Sequence, residues 1–210
     1  MLGLNKDEIK ILKALNTPKK IQNFLNKLPI NFEEKGDTCF SPRLVLRNNK
    51  AHCMEGAVFA AACLRVNGGK PLIVDLLATK KDDDHVICVF KKNGLWGAIG
   101  KTNHAVLRYR EPIYRNIREL VMSFFHEYFD NKGRKNLRSF SAPFDLSRLD
   151  HLNWMTSEEG IWFIHDYLDK AKHFPILNRR QIAGLRRADD VEIIAGKIIE
   201  WKRGGKKVKK

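Results

Sequence analysis

The sequence lacks the features that mark several large classes of protein. No stretch approaches eighteen uncharged apolar residues, the length that a membrane-spanning helix requires. The first residues, MLGLNKDEIKILK, alternate charged and apolar side chains and do not form the apolar core of a signal peptide. No internal repeat is visible, which argues against a repeat array. These absences predict a soluble, cytoplasmic chain with no membrane partner.

Cysteine is scarce, and its spacing suggests neither a disulfide framework nor a metal site. The four cysteines are Cys39, Cys53, Cys63 and Cys88. None forms a CxxC pair, and in a reducing compartment a disulfide framework is not expected. His52 invites a metal site with Cys39 or with later histidines, but zinc ligands usually come as spaced pairs. The sequence therefore implies no metal and no cofactor.

Charge is abundant but unevenly distributed. Of 210 residues, 43% are apolar and 30% charged, a composition that can bury a core. Lys and Arg outnumber Asp and Glu by 39 to 24, giving a formal net charge of +15. The segment Lys170–Lys210 holds 13 of these basic residues against four acidic ones. Such a surplus attracts phosphate backbones and serves equally as a solubility device, so nucleic acid is one candidate partner of the C-terminal region.

Helical periodicity dominates the first third of the chain. Within Asp7–Leu28, apolar side chains recur at intervals of three and four, interrupted at Asn16-Thr17-Pro18, which predicts two short helices. An irregular stretch with several Pro and Gly residues follows. From Met54 to Val66 the chain is apolar nearly all round, as expected of a helix at the centre of a domain. Asn67-Gly68-Gly69 should end that helix.

Strand patterns follow in three short apolar runs, PLIVDLLA, HVICVFKK and LWGAIGK. Asn93-Gly94 separates the second run from the third and is a strong hairpin signal. If these are the two loop residues, Val89 faces Ala98 and His85 faces Thr102 across an antiparallel pair. The three runs therefore predict a small antiparallel sheet with a defined register.

The rest of the chain is predicted to be helical. Together these patterns predict an α+β fold, in which a buried, cysteine-bearing helix packs on the sheet and further helices flank it. The later helices are expected at Tyr114–Phe129, Ser157–Ala171 and Arg179–Trp201, the last with a break near Ala188-Asp189. The expected domain organisation is a core with the N-terminal helices at 1–130, a helical extension packed on it at 131–201, and a flexible basic tail at 202–210.

Two residues form a candidate catalytic pair. Cys53 stands where a loop becomes a helix, and a thiol there lies against the positive end of the macrodipole, which favours the thiolate. Unpaired N–H groups at the same helix end can stabilise an oxyanion. His85 opens an apolar strand and can act as the base. The alternative is a core-facing cysteine and a hydrogen-bonded histidine, and packing is the role expected of Cys63 and Cys88.

The order of these residues resembles a known family. The run VLRNNKAHCMEGAVFAAACLRVNGGKPLIVDL, followed by DHVICVFKKNGLWGAIGKTN, resembles the transglutaminase-like superfamily of papain-type cysteine enzymes. In that family a loop delivers the catalytic Cys to the start of a buried helix, and the strands that follow carry the His and the Asp. By this resemblance Cys53 matches the nucleophile, His85 the base and Trp96 the tryptophan that leads the third strand. The resemblance spans roughly residues 18–103.

The third catalytic position departs from the family pattern. The family's aspartate usually lies four residues beyond the tryptophan, where this sequence has Gly100. The hairpin register places Gly100 diagonal to His85 on the same face, so the third member is missing or relocated. Asn103 is the favoured replacement, as an Asn serves in papain; Thr102 and Asp75 remain alternatives.

Two functions follow from this reading. The first is a thiol hydrolase or acyltransferase that acts on a peptide or isopeptide amide through Cys53, His85 and Asn103. The second is a catalytically inactive fold of the same type that binds a protein or nucleic acid through its basic C-terminal region. The substrate and the oligomeric state are not readable from the sequence, because loops build the pocket walls.

Overall fold

The structure, a computed structural model, describes residues 2–209 and has an α+β architecture built on one antiparallel sheet. The helices are α1 (Lys6–Ala14), α2 (Pro18–Lys27), α3 (Pro42–Asn48), α4 (Cys53–Val66), α5 (Ile117–Met122), α6 (Trp162–Asp169), α7 (Arg179–Ala183) and α8 (Asp190–Gly196), with short 3-10 helices at Phe125–Glu127 and Leu146–Leu152. The strands are β1 (Leu72–Leu77), β2 (His85–Lys92), β3 (Leu95–Ile99), β4 (Arg110–Tyr114), β5 (Ser139–Ser141), β6 (Phe144–Asp145), β7 (His173–Pro175), β8 (Trp201–Lys202) and β9 (Lys206–Lys207).

The two predicted N-terminal helices are confirmed, and local capping explains where they begin. The Asn5 side chain accepts a hydrogen bond from the Glu8 amide (2.9 Å), and Thr17 accepts one from the Lys20 amide (3.2 Å). Pro18 occupies the first turn of α2, where its missing N–H has no consequence. The break that Asn, Thr and Pro predicted is therefore a helix start.

Helix α4 is the buried centre of the domain, as its apolar sequence predicted. Ten of its residues are buried, and its apolar surface packs against β2 and three of the other helices. It ends at Asn67, and Gly68 has a φ of 83°, which an L side chain rarely adopts. No helix within residues 2–209 is long and apolar enough to cross a membrane.

The predicted hairpin is present in the predicted register. Val89 pairs with Ala98, and the loop residues Asn93 and Gly94 have φ values of 51° and 81°, as a tight two-residue turn requires. Strand β3 ends before it reaches the partner predicted for His85, so the pairing does not continue to that end of β2.

Alternate residues of β2 face two different cores. Val86, Cys88 and Phe90 pack with α4 and the N-terminal helices, whereas Ile87 and Val89 pack with α5 on the opposite face. The central strands are therefore covered on both faces, which explains why their sequences are almost continuously apolar.

The region at 131–201, expected to be helical, contains strands as well as helices: α6 lies within Ser157–Ala171, and α7 and α8 lie within Arg179–Trp201 on either side of the expected break. The sheet has the strand order β4-β3-β2-β1-β5-β7, with β6 also paired to β1, so three strands of this region belong to the central sheet. The helix expected at Tyr114–Phe129 is instead the end of β4, α5 and a 3-10 turn. These strands have two to five residues, which is too few for an alternation of apolar and polar side chains to be recognised in the sequence.

The segment expected to be a flexible tail forms a hairpin. Strands β8 and β9 pair, and the Val208 amide donates to the Glu200 carbonyl (2.8 Å). Lys207 Nζ lies 3.2 Å from a Glu200 carboxylate oxygen and 5.7 Å from the Trp201 ring centroid. Trp201 is buried as a result, and it anchors the segment. Lys210, the last residue of the expected tail, lies outside the described residues.

Candidate active site

Cys53 is the first residue of α4 and opens into a cleft. His52 precedes it in an extended conformation and ends the loop that leads into the helix. Cys53 as a residue is partly exposed, and the cleft that it lines has a volume of about 420 Å³. Backbone N–H groups in a first helical turn have no intrahelical acceptor. The thiol therefore lies beside groups that can stabilise negative charge.

Two imidazoles lie beside this thiol. His52, the residue before it, and His85, the first residue of β2, line the same cleft as Cys53, and both rings influence its titration. Burial raises the pKa of the Cys53 thiol, but the hydrogen bonds and charges of the two rings outweigh this effect and lower the pKa from 9.0 to about 5. The thiolate is then the main form near neutral pH. The structure brings Cys53 and His85 together, whereas the sequence reasoning did not assign His52 to the site.

The other three cysteines differ from Cys53. Cys39, Cys63 and Cys88 are buried in the core that contains α4, which confirms the packing role expected of the latter two. Burial raises the pKa of Cys39 to about 12, and it raises the pKa of Cys63 and Cys88 as well. Only Cys53 has the environment of a reactive thiol.

The surroundings of His52 keep its ring protonated. Its Nε2 lies 3.0 Å from the Thr38 carbonyl oxygen and 3.4 Å from Glu55 Oε1. Burial lowers the pKa of His52, but the hydrogen bond to Cys53 and the negative charge of Glu55 outweigh it and raise the pKa to about 9. His52 is therefore a charged partner of the thiol at neutral pH.

Glu55 fixes the loop that leads to the site. Its carboxylate is fully buried and accepts hydrogen bonds from Asn31 Nδ2 (3.1 Å) and Thr38 Oγ1 (2.8 Å). It also accepts from the backbone amides of Phe40 (3.0 Å) and His52 (2.9 Å). A Glu at the third helical position that bonds back to the capping residue is half of a capping box. That spacing is the sequence signal that indicates Glu55, and with it His52.

Gly100 lies beside His85. Within residues 2–209, His85 Nε2 is a buried polar atom with no hydrogen-bond partner. A Cβ atom on Gly100 would lie 3.7 Å from it. Gln22 holds Gly100 through both backbone groups, accepting from its amide (3.1 Å) and donating to its carbonyl (2.9 Å). Gly100 is thus next to the imidazole, as the hairpin register predicted.

Asn103 does not orient His85, which corrects the favoured assignment of the third catalytic member. Its Nδ2 donates to the Trp201 carbonyl (3.0 Å), and its Oδ1 accepts from the Trp201 amide (2.7 Å). Its carbonyl accepts from the Glu200 amide (2.8 Å). The chain leaves the sheet after β3 and pairs with the C-terminal segment, so the amide of Asn103 is fully used there.

The two alternatives for the third member are engaged elsewhere as well. Thr102 Oγ1 accepts from the His104 amide (3.1 Å). Asp75 is buried and lies 3.2 Å from His173 Nε2. Burial raises the pKa of Asp75 to about 6, although His173 opposes the shift. Both residues thus have partners other than the His85 ring.

Gly56 permits a close approach between α4 and the segment that follows β3. A Cβ at this position would lie within 2.4 Å of Lys101 Cβ. Lys101 is fully buried, and its Nζ donates to the carbonyls of Leu25 and Leu28 at the end of α2. Burial lowers the pKa of Lys101 to about 8. This cation caps a helix next to the site.

Four segments line the cleft beside the thiol and the two imidazoles. They are the acidic loop at 81–84, the segment at 102–107, the segment at 127–131, and the C-terminal segment that contains Ile193 and Lys197. The C-terminal region is therefore part of the cleft rather than a separate module. Within residues 2–209, no group of three or more His, Cys, Asp or Glu side chains is arranged to hold a metal ion.

Comparison with known proteins leaves the family open: no family model matches the chain, and a search of the curated proteins finds no match. The geometry around Cys53 is therefore the basis on which a function can be argued.

Proposed function

We propose that the protein is a transglutaminase-like thiol hydrolase or acyltransferase that acts on an amide bond. The observation that carries the proposal is the position of Cys53 at the start of a buried helix, in a cleft that His52 and His85 also line, and the two imidazoles lower the pKa of the thiol to about 5. A buried structural cysteine has no such environment. The order of the helix and of strands β1 to β3 supports a transglutaminase-like core.

The reaction follows from the position of each group. The Cys53 thiolate attacks the amide carbonyl carbon and forms a C–S bond, while the carbonyl oxygen becomes an oxyanion near the first-turn N–H groups. When the C–N bond breaks, the imidazolium form of His85 donates its proton to the departing amine and becomes neutral, which leaves a thioester on Cys53. Water or a second amine then attacks the thioester, His85 takes its proton, and the thiolate departs.

The two histidines have different roles in this proposal. His52 is held by the Thr38 carbonyl and by Glu55, so it remains charged and stabilises the thiolate throughout the cycle. His85 has no such fixed acceptor on Nε2, so it is the residue that gains and loses the proton. This division resembles the separation of charge stabilisation from proton transfer in other nucleophilic sites.

The unpartnered Nε2 of His85 favours a second candidate function. Without a third group, the ring is free to adopt a tautomer or orientation that does not support turnover. The protein would then be a catalytically inactive transglutaminase-like fold that binds a partner at the same cleft.

Mass spectrometry can separate these functions. The protein is incubated with peptide and isopeptide amides, with and without a primary amine, and product and the thioester on Cys53 are measured. We expect product and a Cys53 adduct in the wild type and neither in Cys53→Ala, which removes one side-chain atom at a helix start. Cys39, Cys63 and Cys88 serve as internal controls.

Turnover that persists in Cys53→Ala would overturn the assignment of the nucleophile. Alkylation of Cys53 by iodoacetamide without turnover of any amide would favour the inactive fold.

A further inference from the structure

A second concave site, which shares no lining residue with the Cys53 cleft, lies between the segment before β5 and the chain around α7. It is a groove of about 250 Å³. A backbone hydrogen bond from the Ala188 amide to the Gly133 carbonyl (2.8 Å) joins the two segments that form its walls. The backbone therefore fixes the shape of the groove. Its cationic lining residues are Arg134, Lys135, Arg138, Arg186 and Arg187.

The groove has more positive charge than its own carboxylates neutralise. Arg134 pairs with Asp130, and Arg186 pairs with Asp189 (2.5 Å). No carboxylate within residues 2–209 forms an ion pair with any of the other three cations, Lys135, Arg138 and Arg187. Several cations brought together in a concave site without counter-charges repel one another, and an anion relieves that repulsion.

Arg138 is the central group. It is half-buried, and its guanidinium makes one hydrogen bond within residues 2–209, from NH1 to the Leu137 carbonyl (2.9 Å). Burial lowers the pKa of Arg138, since no opposite charge compensates for the lost water. Its backbone is held between the Leu77 carbonyl (2.9 Å) and the Ile176 amide (3.0 Å), so the side chain starts from a rigid sheet position.

The groove also has an apolar part. Ile182 and Leu185 line the groove together with the cations and are both partly buried. A volume of about 250 Å³ holds a phosphate group and leaves room for a ring, since one water molecule occupies about 30 Å³. Guanidinium groups match phosphate oxygens in a bidentate geometry, and an aliphatic surface accommodates a sugar or a base.

We propose that this groove binds a nucleoside phosphate, with the phosphate on Arg138, Arg187 and Lys135 and the nucleoside against Ile182 and Leu185. The ligand is either a free nucleotide or the phosphorylated end of an RNA chain, which present the same group. The site is distinct from the Cys53 cleft and does not depend on the function proposed for it.

Calorimetry with adenosine monophosphate at about 0.15 M salt tests the proposal. We expect saturable binding to the wild type and affinity at least about 10-fold weaker in Arg138→Gln/Arg187→Gln, because each charge-assisted hydrogen bond to phosphate is strong. The control is Lys10→Gln/Lys13→Gln, which removes the same net charge from exposed positions of α1. It should bind adenosine monophosphate within about 2-fold of the wild type.

Further ligands and variants sharpen the result. Leu185→Ser should weaken adenosine monophosphate but not inorganic phosphate. A 5′-phosphorylated oligoadenylate that binds more tightly than the mononucleotide identifies an RNA end, whereas equal affinity identifies a free nucleotide. If Arg138→Gln perturbs folding, Lys135→Gln/Arg187→Gln replaces it.

Equal binding of adenosine monophosphate by the groove variant and the wild type would overturn the proposal. An equal loss of affinity in the α1 control would do the same, because the attraction would then come from net charge alone.

Discussion

Replacing Gly100 with Asp tests whether position 100 and His85 form one site. A Cβ atom at position 100 would lie 3.7 Å from His85 Nε2, so a carboxylate beyond it can reach a hydrogen-bond distance of about 2.8 Å. The backbone φ of Gly100 is not in the left-handed region, so an L residue fits there. The Cβ would lie 3.3 Å from the Leu107 carbonyl oxygen, and that loop has to move by a few tenths of an ångström.

The expected effect has a definite size. A hydrogen bond to a charged group contributes about 1.5–3 kcal/mol. If the new carboxylate stabilises the imidazolium form of His85 by that amount, the ring titrates about 1–2 pH units higher than in the wild type. The carboxylate also fixes the tautomer and orientation of the ring, so amide turnover at Cys53 should increase.

Three substitutions at this position separate space, hydrogen bonding and charge. Gly100→Ala adds only the Cβ and should leave the His85 titration unchanged. Gly100→Asn adds an acceptor without a charge and should fix the ring with little change in its titration. Gly100→Asp adds both, and it should differ from Asn in the titration and from Ala in turnover.

The assay is the NMR titration of His85 in each variant, repeated in a Cys53→Ala background to remove the influence of the thiolate. Amide hydrolysis is measured in parallel, and denaturant unfolding shows that each variant is folded. A folded Gly100→Asp protein in which His85 titrates as in the wild type would refute the reasoning. Position 100 would then not face the imidazole.

Three further predictions concern charge. The rate of Cys53 alkylation by iodoacetamide should be constant above about pH 6 and fall through pH 5, because the reactive thiolate predominates only above the pKa of the thiol. In His52→Gln the midpoint of this pH profile should move to higher pH, and an unchanged profile would exclude His52 from the site. Glu55→Gln places an amide against several hydrogen-bond donors and should lower the free energy of unfolding by about 2–4 kcal/mol in denaturant titrations. A loss below about 0.5 kcal/mol would contradict the role of Glu55 in fixing the loop. Asp75 has a raised pKa in the folded state, about 6 against an ordinary 3.8, so the stability it contributes is present below about pH 4 and lost as pH rises through 6. The free energy of unfolding should fall by about 2–3 kcal/mol over this range in the wild type and not in Asp75→Asn. Equal pH dependence in the two proteins would contradict the prediction.

The elements that could be predicted are those whose signal is local. Two loop residues required a tight turn, and the register of β2 and β3 followed from them. The position of Cys53 at the start of α4 followed from a loop that changes into an apolar helix. In each case the residues that determine the structure are adjacent in the chain, so their physical preferences are visible without knowledge of the fold.

The elements that were missed depend on partners distant in the chain. Strand β5 has three residues and pairs with β1, more than sixty positions earlier in the chain. Asn103 looked suitable for the site because it follows β3, but its partner is Trp201 in the C-terminal segment. The pairing of His52 with the thiol depends on a carbonyl at Thr38 and on the buried Glu55. A sequence pattern contains none of these distances.

The wall of the site that faces position 100 contains a further departure from local preference. Leu107 has a φ of 58°, a conformation that costs a bulky residue about 1–3 kcal/mol. Its amide donates to Glu127 Oε2 (2.8 Å), and Arg110 pairs with the same carboxylate (2.6 Å). Those two interactions offset the strain and hold the Leu107 carbonyl beside Gly100. The residue without a side chain, Gly100, and the strained backbone at Leu107 therefore occur at one place, next to His85 Nε2, which has no hydrogen-bond partner within residues 2–209.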